Sequence, residues 1–188
     1  MSERKKIVFT REEMFEMNIK SLQERGVTIE EIATVTFNQQ RKYTKDIDFK
    51  TCFESVEKIL SFRDVFHYVQ LAIAIDVLAE KKLLPYPLQD IVYYDLGLFG
   101  VDEVMGLDVA GTYGTIGQTN FGDIDVNKPG IVRKLNEDGK EEGICHTFLD
   151  DIVGAIAAAA STRVAQVMNE KEAHLGDFEL ISMFEDEE

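Results

Sequence analysis

Residues 147–170 carry the pattern that most limits what this chain can fold into. Alanine, glycine and apolar residues occupy every side of a helical projection, and beyond Asp151 the first two-thirds hold almost no charge. A helix that is small and apolar all round is stable when other helices cover it on all sides. We therefore predict an all-α fold, a multihelical bundle in which this Ala/Gly-rich helix is central and about five others surround it.

The rest of the sequence supplies candidates for the surrounding helices. Apolar residues recur at helical spacing, and Thr28 and Ser61 each begin a capping-box pattern, in which an acid three residues later bonds back to the cap. Strands are not expected, because β-branched runs with period two are missing. The predicted helices cover residues 11–25, 28–43, 49–60, 61–82 and 88–94, and the fourth is expected to be well buried.

The remaining segments are predicted to flank or connect these helices. Residues 1–10 indicate a loose arm, residues 136–143 an exposed loop, and the chain beyond Lys171 an acidic, solvated tail. Glycines crowd residues 97–122 and indicate tight helix contacts and turns. No linker composition interrupts the 188 residues, of which 45% are hydrophobic, so we expect one domain spanning residues 1–188.

Charge and cysteine usage limit the function classes. A formal net charge of -15 repels nucleic acid and anionic membranes, so nucleic acid is excluded as an expected partner. Cys52 and Cys145 fit no CxxC spacing, which favours a reducing compartment. No signal peptide or membrane-spanning run is recognised. We expect a cytoplasmic protein with at most peripheral membrane contact, whose many small helical residues are compatible with a homo-oligomer.

Two five-residue boxes of one type carry the strongest functional signal. DEVMG at 102–106 and DDIVG at 150–154 each hold an adjacent acidic pair, two apolar residues and a glycine one turn after the first acid. Carboxylates are the ligands that Mg²⁺ prefers, and bundle cores assemble such sites from facing helices. The predicted ligands of this Mg²⁺ or another divalent metal are Asp102, Glu103, Asp150 and Asp151.

A structural interpretation competes for each box taken alone. Acids in a first helical turn complement the helix dipole without any metal. Thr147 and Asp150 also form a capping-box pattern, and caps are far commoner than metal sites. The repetition of the whole pattern favours a shared site, but it leaves open a structural protein in which the boxes are only caps and helix contacts.

Polar residues between and beside the boxes extend the predicted site. Residues 111–122 combine glycines with small hydroxyls and amides, which can present backbone N–H groups to phosphate, although a flexible turn fits the composition equally well. His146 directly precedes the final helix and is a candidate general acid or orienting group. The predicted phosphate-binding residues are Thr115, Asn120 and Lys128, and the predicted catalytic residues are Asp125, His146, Asp150 and Asp151.

The order of these motifs resembles the phosphatidylglycerophosphatase A family. That family has a D-E-x-x-G box, an F-x-x-x-D-x-x-K-P segment and a D-D box, which here are residues 102–106, 121–129 and 150–154. The likeness covers roughly residues 100–160 and looks closest to the soluble branch of YutG-like and low temperature requirement C proteins. The P-G-T-x-G-S motif and the membrane spans of membrane-bound members are missing.

The resemblance implies an all-α fold and a Mg²⁺-dependent phosphatase that converts phosphatidylglycerophosphate to phosphatidylglycerol in phospholipid synthesis. We therefore expect a phosphoric monoester hydrolase with a phosphorylated lipid or small-molecule substrate. Two alternatives remain open at this point. One is a phosphatase acting on a soluble phosphoester, and the other is a non-catalytic helical protein that binds a metal or a phosphorylated ligand.

Overall fold

The structure, a computed structural model, describes residues 8–175, and it describes side chains as far as Lys171. This part of the chain is helical and contains no strand. Its elements are α1 (Arg11–Glu24), α2 (Ile29–Gln40), α3 (Phe49–Leu60), α4 (Arg63–Glu80), α5 (Leu88–Tyr93), α6 (Glu103–Ala110), a 3₁₀ turn (Gly111–Tyr113), α7 (Thr115–Asn127), α8 (Ile131–Asp138) and α9 (Leu149–Leu175).

Helix α9 lies at the centre of the bundle, as its composition predicts. Six helices pack against it, namely α2, α3, α4, α6, α7 and α8, one more than expected. Residues 149–162 are buried at every position. Alanines at 157–160 give this helix a narrow profile, so neighbouring helices approach it closely from all sides. The prediction of an all-α bundle around one small-residue helix is confirmed.

The two predicted capping boxes have different outcomes. The Thr28 hydroxyl accepts a hydrogen bond from the Glu31 backbone N–H at 3.2 Å, and the Glu31 carboxylate accepts one from the Thr28 N–H at 2.9 Å. The box predicted at Ser61 is wrong. Phe62 is the cap residue of α4 and caps it with no side-chain bond, because the Ser61 hydroxyl donates instead to the carbonyl of Lys58.

Helix α4 is less buried than its apolar sequence indicates. Leu71 is 50% exposed and Leu78 is 38% exposed, whereas Asp76 is completely buried. The helix packs one stripe of residues against the bundle and leaves apolar side chains outside it. The expectation that α4 is well buried is therefore wrong. Asp76 is an acid of this helix that lies in the protein interior.

The glycine-rich residues 97–122 are largely helical. The flexible-turn interpretation of residues 111–122 is therefore wrong from Thr115 onwards, where α7 begins. Its glycines make room for neighbouring groups. A Cβ on Gly106 would lie 2.6 Å from the ring of Phe121, and one on Gly154 would lie 3.6 Å from the same ring. The glycines of the two boxes therefore hold Phe121 between α6 and α9.

The ends of the predicted elements shift by a few residues. The predicted loop at 136–143 begins later, because α8 continues to Asp138, and α9 extends to Leu175. Residues 8–10 have no regular structure, while the rest of the predicted arm, residues 1–7, and the tail from 176 onwards lie outside the described residues. Within residues 8–175, no helix is both long enough and apolar enough to cross a membrane.

Candidate metal centre

The candidate site lies where α6 and α9 begin and α7 ends. Asp102 and Glu103 stand at the start of α6, Asp150 and Asp151 occupy the first turn of α9, and Lys128 ends α7. Helix N-termini carry partial positive charge and C-termini partial negative charge. The fold therefore directs two helix N-termini toward the acids and one C-terminus toward the lysine.

Three of the four predicted metal ligands converge. Carboxylate oxygens of Asp102, Glu103 and Asp151 lie within 4.8 Å of one another. Asp102 Oδ1 and Glu103 Oε2 are buried, and no N–H or O–H group of the other described residues donates a hydrogen bond to them. A buried carboxylate oxygen without a partner is costly, and a cation held by oxygen ligands offsets that cost. The donor set therefore fits a hard divalent cation.

Lys128 lies against the second box. Its Nζ donates to Asp125 Oδ1 at 2.7 Å, to Asp150 Oδ2 at 3.0 Å and to Asp151 Oδ1 at 3.2 Å. The backbone of Lys128 is left-handed, with φ 42° and ψ 62°, and Pro129 follows, so α7 ends here. Burial lowers the pKa of Lys128, but the charges of Asp150 and Asp151 raise it by more, so the ammonium is kept.

The acids of the site hold protons unusually tightly. Burial, followed by a side-chain hydrogen bond to Glu103 and by the charge of Glu103, raises the pKa of Asp102 to about 7. Burial raises the pKa of Asp150 to about 6 although Lys128 opposes it. Burial and the charge of Asp150 raise the pKa of Asp151 to about 9. The cluster is therefore short of positive charge at neutral pH.

The sequence analysis missed Asp76, which starts helix α9 from outside. Its buried carboxylate accepts hydrogen bonds from the backbone N–H groups of Phe148 at 3.1 Å and Leu149 at 3.0 Å. The Thr147 hydroxyl donates to the carbonyl of Val92 instead, so the capping-box interpretation of Thr147 and Asp150 is wrong. Burial raises the pKa of Asp76 to about 8, while the two N–H donors act in the opposite direction.

His146 is fixed by Arg25, another residue that the sequence analysis did not single out. Arg25 Nη2 lies 3.1 Å from His146 Nδ1 and donates to the carbonyl of Cys145 at 2.7 Å, while its guanidinium pairs with Glu80 at 2.6 Å. Burial, followed by the charge of Arg25, lowers the pKa of His146 to about 4. The imidazole is therefore neutral at pH 7 and, with Nδ1 as acceptor, carries its proton on Nε2.

A cavity of about 760 Å³ adjoins the acids. Its walls include His146, Asp150, Asp95, Lys82 and Lys140. This volume suits a small-molecule ligand. The charge of Asp95 adds to the raised pKa values of Asp102 and Asp150, so this exposed loop residue acts on the site although its sequence context gave no indication of it.

A family model described as Phosphatidylglycerophosphatase A matches residues 28–166, a range that includes Asp76 and all the residues of the acidic cluster. The chain belongs to this family. The match confirms the resemblance drawn from three motifs and extends it well beyond residues 100–160.

The chain is similar over most of its length to two relatives and to one solved structure. It is 46% identical to the uncharacterized protein YpjQ of Bacillus subtilis (strain 168) over 84% of this chain and 87% of YpjQ. It is 48% identical to the uncharacterized protein YutG of that organism, over 77% and 86% of the two chains. A solved structure of the low temperature requirement C protein from Listeria monocytogenes matches with a TM-score of 0.80 and 44% sequence identity. The match covers 85% of this chain and 99% of the Listeria chain.

Two of the predicted phosphate-binding residues, Asn120 and Thr115, lie away from the acidic cluster. Asn120 accepts from Gln39 Nε2 at 3.4 Å and donates to Thr162 Oγ1 at 3.3 Å, so its amide links α2, α7 and α9. Thr115 is exposed at the first residue of α7, at the opposite end from Lys128, or about 20 Å away along the axis. The structure does not bring these two side chains to the cluster.

Proposed function

We propose that this protein is a divalent-metal-dependent phosphomonoesterase, a phosphoric monoester hydrolase whose site is the acidic cluster. The observation that carries the proposal is the convergence of one carboxylate oxygen each from Asp102, Glu103 and Asp151 within 4.8 Å of one another, together with a buried, unpartnered oxygen on Asp102 and another on Glu103. Membership of the phosphatidylglycerophosphatase A family supports phosphatase chemistry. Asp102 and Glu103 can bond to each other only by sharing a proton, which raises the pKa of Asp102. A purely structural role gives no reason to bury two carboxylates that the rest of the protein does not satisfy.

In this proposal Asp102, Glu103 and Asp151 hold the cation, and Mg²⁺ is the proposed metal. When bound, such an ion neutralises phosphoryl charge and lowers the pKa of a coordinated water. Asp150 lies outside the triplet, and its Oδ2 is 3.0 Å from Lys128 Nζ. We therefore give Asp150, together with Asp125, the task of positioning the Lys128 ammonium, which contacts a phosphate oxygen of the substrate.

His146 has a more limited role than a proton-donating imidazolium. Because its pKa lies at about 4, it is neutral where the enzyme works, and its Nε2–H remains available while Arg25 occupies Nδ1. We propose that it orients a ligand in the adjoining cavity by donating a hydrogen bond from Nε2. Protonation of the leaving alkoxide therefore falls to water, because Asp102 and Asp151 are ionised when they hold the cation.

The finer proposal is a lipid phosphomonoester as substrate, phosphatidylglycerophosphate above all, with a cytoplasmic location for the protein. The description of the matching family supports the substrate. Cys52 and Cys145 are buried free thiols, and burial raises the pKa of each to about 11, which fits a reducing compartment and argues against thiol catalysis.

The test is phosphate release from lipid and soluble phosphomonoesters, with Mg²⁺ and with EDTA. We expect Mg²⁺-dependent release that falls at least about 100-fold in Asp102→Asn and in Asp150→Asn. Asp123→Asn is a matched control, because Asp123 lies on α7 and pairs with Lys42 outside the cluster. Wild-type rates in both site variants, or release that EDTA does not reduce, would sink the proposal.

A further inference from the structure

The fold leaves an apolar surface uncovered beside the candidate site. Among the described residues, nine of the seventeen exposed large apolar side chains lie between Leu83 and Leu107. They are most prominent in two loops, residues 81–87, here named the lysine loop, and residues 94–101, here named the apolar tip. In the apolar tip, Leu96 is 64% exposed and Phe99 is 100% exposed.

Both loops are continuous with the site. Lys82 of the lysine loop and Leu96 of the apolar tip line the same cavity as Asp150. A Cβ placed on Gly100 would lie 3.4 Å from the Glu103 carboxylate, so the apolar tip directly adjoins a proposed metal ligand. Whatever covers these loops therefore also covers the entrance to the cavity.

The charge pattern of the lysine loop differs from that of the chain as a whole. Lys81 and Lys82 are both exposed and directly precede Leu83, which is 64% exposed. Tyr86, further along the same loop, is 86% exposed. The same cavity is lined by Lys140 and by exposed acids, namely Asp90, Asp95, Glu141 and Glu142, so the positive charge of Lys81 and Lys82 is local to this loop. Lysines beside exposed leucine and tyrosine are typical of segments that lie in the interface of a bilayer.

The shape of the apolar tip favours a lipid layer over a folded protein as its partner. Phe99 has φ 51° and stands between Gly97 and Gly100, which also have positive φ, so the tip turns sharply and presents its ring outward. A projecting ring of this kind enters a layer of acyl chains without needing a matching pocket. A folded protein partner would need a complementary hollow and a broader apolar face.

We propose that the lysine loop and the apolar tip dock this protein on a phospholipid bilayer with anionic headgroups. Phe99 and Leu96 enter the acyl region, and Lys81 and Lys82 meet the headgroups. The cavity beside Asp150 then faces the headgroup layer, from which a lipid-borne phosphomonoester reaches the acids. The orientation rests on the proposed function, whereas the docking itself needs no catalysis.

A tryptophan reporter tests the docking directly, because the chain contains no tryptophan. In Phe99→Trp, vesicles of phosphatidylglycerol and phosphatidylcholine should shift the indole emission to the blue, and lipids brominated on their acyl chains should quench it. The control is Tyr43→Trp. Tyr43 is 69% exposed and follows α2, near the contact of Gln40 with Ser161 at the other end of the buried part of α9. Its emission should not change.

Charge variants test the same surface by vesicle co-sedimentation. Phe99→Asp should weaken vesicle binding at least about tenfold, and Lys81→Glu with Lys82→Glu should weaken it on anionic vesicles only. Ile116→Asp is the matched control, since Ile116 is 65% exposed at the start of α7, away from both loops. All four substituted positions are exposed, and circular dichroism melting confirms that each variant folds.

Two activity assays separate this proposal from the proposed function. Phe99→Asp should lose activity on a phosphomonoester lipid in vesicles and keep activity on a soluble phosphomonoester, whereas Asp102→Asn should lose both activities and still bind vesicles. The docking is overturned if the indole emission of Phe99→Trp does not change when vesicles of any composition are added. So does light scattering that shows a dimer which Phe99→Asp dissociates, with vesicle binding unchanged, because a second copy then covers the surface.

Discussion

Helix α9 meets two groups of buried polar side chains, one near residues 157–162 and one at Asp150 and Asp151. Near 157–162, the Ser161 hydroxyl donates to Gln40 at 3.0 Å, and Thr162 both donates to the Ala158 carbonyl and accepts from Asn120. At the other end, Arg25, Asp102 and Glu103 each keep a buried side-chain atom without a partner among the described residues.

The first group of polar side chains serves packing, whereas the second is suited to binding a ligand. Polar groups around 157–162 are satisfied by neighbouring helices, so they stabilise the bundle and fix how its helices meet. Carboxylates around 150–151 are brought together against their mutual repulsion, and the fold supplies Lys128 on one side only. A fold that retains such a cost leaves room for an external cation to offset it.

The largest expected effect breaks the packed end of the comparison. A Cβ on Gly117 would lie 2.0 Å from the backbone carbonyl oxygen of Ala110, which cannot move aside. Gly117→Ala should lower the free energy of unfolding by at least about 3 kcal/mol. On the same helix, a Cβ on Gly122 would meet no atom within 4 Å, so Gly122→Ala should raise stability by up to about 1 kcal/mol. Equal urea midpoints for the two variants would contradict this account of α7.

The next effect separates activity from stability. Asp102→Asn should reduce phosphate release at least about 100-fold, about 2.7 kcal/mol at the transition state, yet leave metal-free stability unchanged or higher, because it removes a like charge. Asn120→Ala should do the reverse, with activity kept and about 1 kcal/mol of stability lost with its hydrogen bonds. Both are measured by phosphate release and by urea unfolding in EDTA. A large loss of activity in Asn120→Ala would return that residue to the site.

The smallest of the three effects is a pH dependence of the metal-free protein. Burial raises the pKa of Asp102 to about 7, and burial with the charge of Asp150 raises that of Asp151 to about 9. In the unfolded chain an aspartate titrates near 4, so the folded state binds more protons between these values. That stability is complete below about pH 4 and is lost as pH rises through about 7 to 9.

In EDTA, the free energy of unfolding should therefore fall by at least about 2 kcal/mol between about pH 5 and pH 8, because these acids outweigh His146, whose lowered pKa acts in the opposite direction below about pH 6.5. Saturating Mg²⁺ should reduce the fall. Asp151→Asn should flatten the metal-free profile, whereas Asn120→Ala should only lower it. A profile in EDTA that rises over this range would show that the acids are not short of positive charge.

Much of the fold could be predicted because α9 has one unambiguous pattern. Small residues on every side of residues 152–160 require a central helix, and the DE and DD boxes with the lysine between them identified most of the cluster. Asp76 was recognisable in principle. Its spacing from Val69, Ala72 and Ala79 places it on the buried stripe of α4, where a lone acid needs partners.

Other features depend on tertiary contacts that no local pattern reports. The glycines and small polar residues of 111–122 suggested a loop that binds phosphate. In the structure, the missing side chain of Gly117 allows α7 to approach the backbone of Ala110 closely. The side chain of Asn120 bonds to Gln39 and Thr162. The pairing of Arg25 with His146 joins residues far apart in the chain. Burial, followed by the charge of Arg25, lowers the pKa of His146 to about 4, so this candidate general acid is neutral at pH 7.

Acids at the starts of α6 and α9 form the proposed cation site, and Mg²⁺-dependent thermal unfolding tests this most directly. We predict a saturable rise in Tm with Mg²⁺ for the wild-type chain and for Asn120→Ala, and none for Asp102→Asn. Equal shifts in all three proteins, or no shift in the wild-type chain at any Mg²⁺ concentration, would contradict the account.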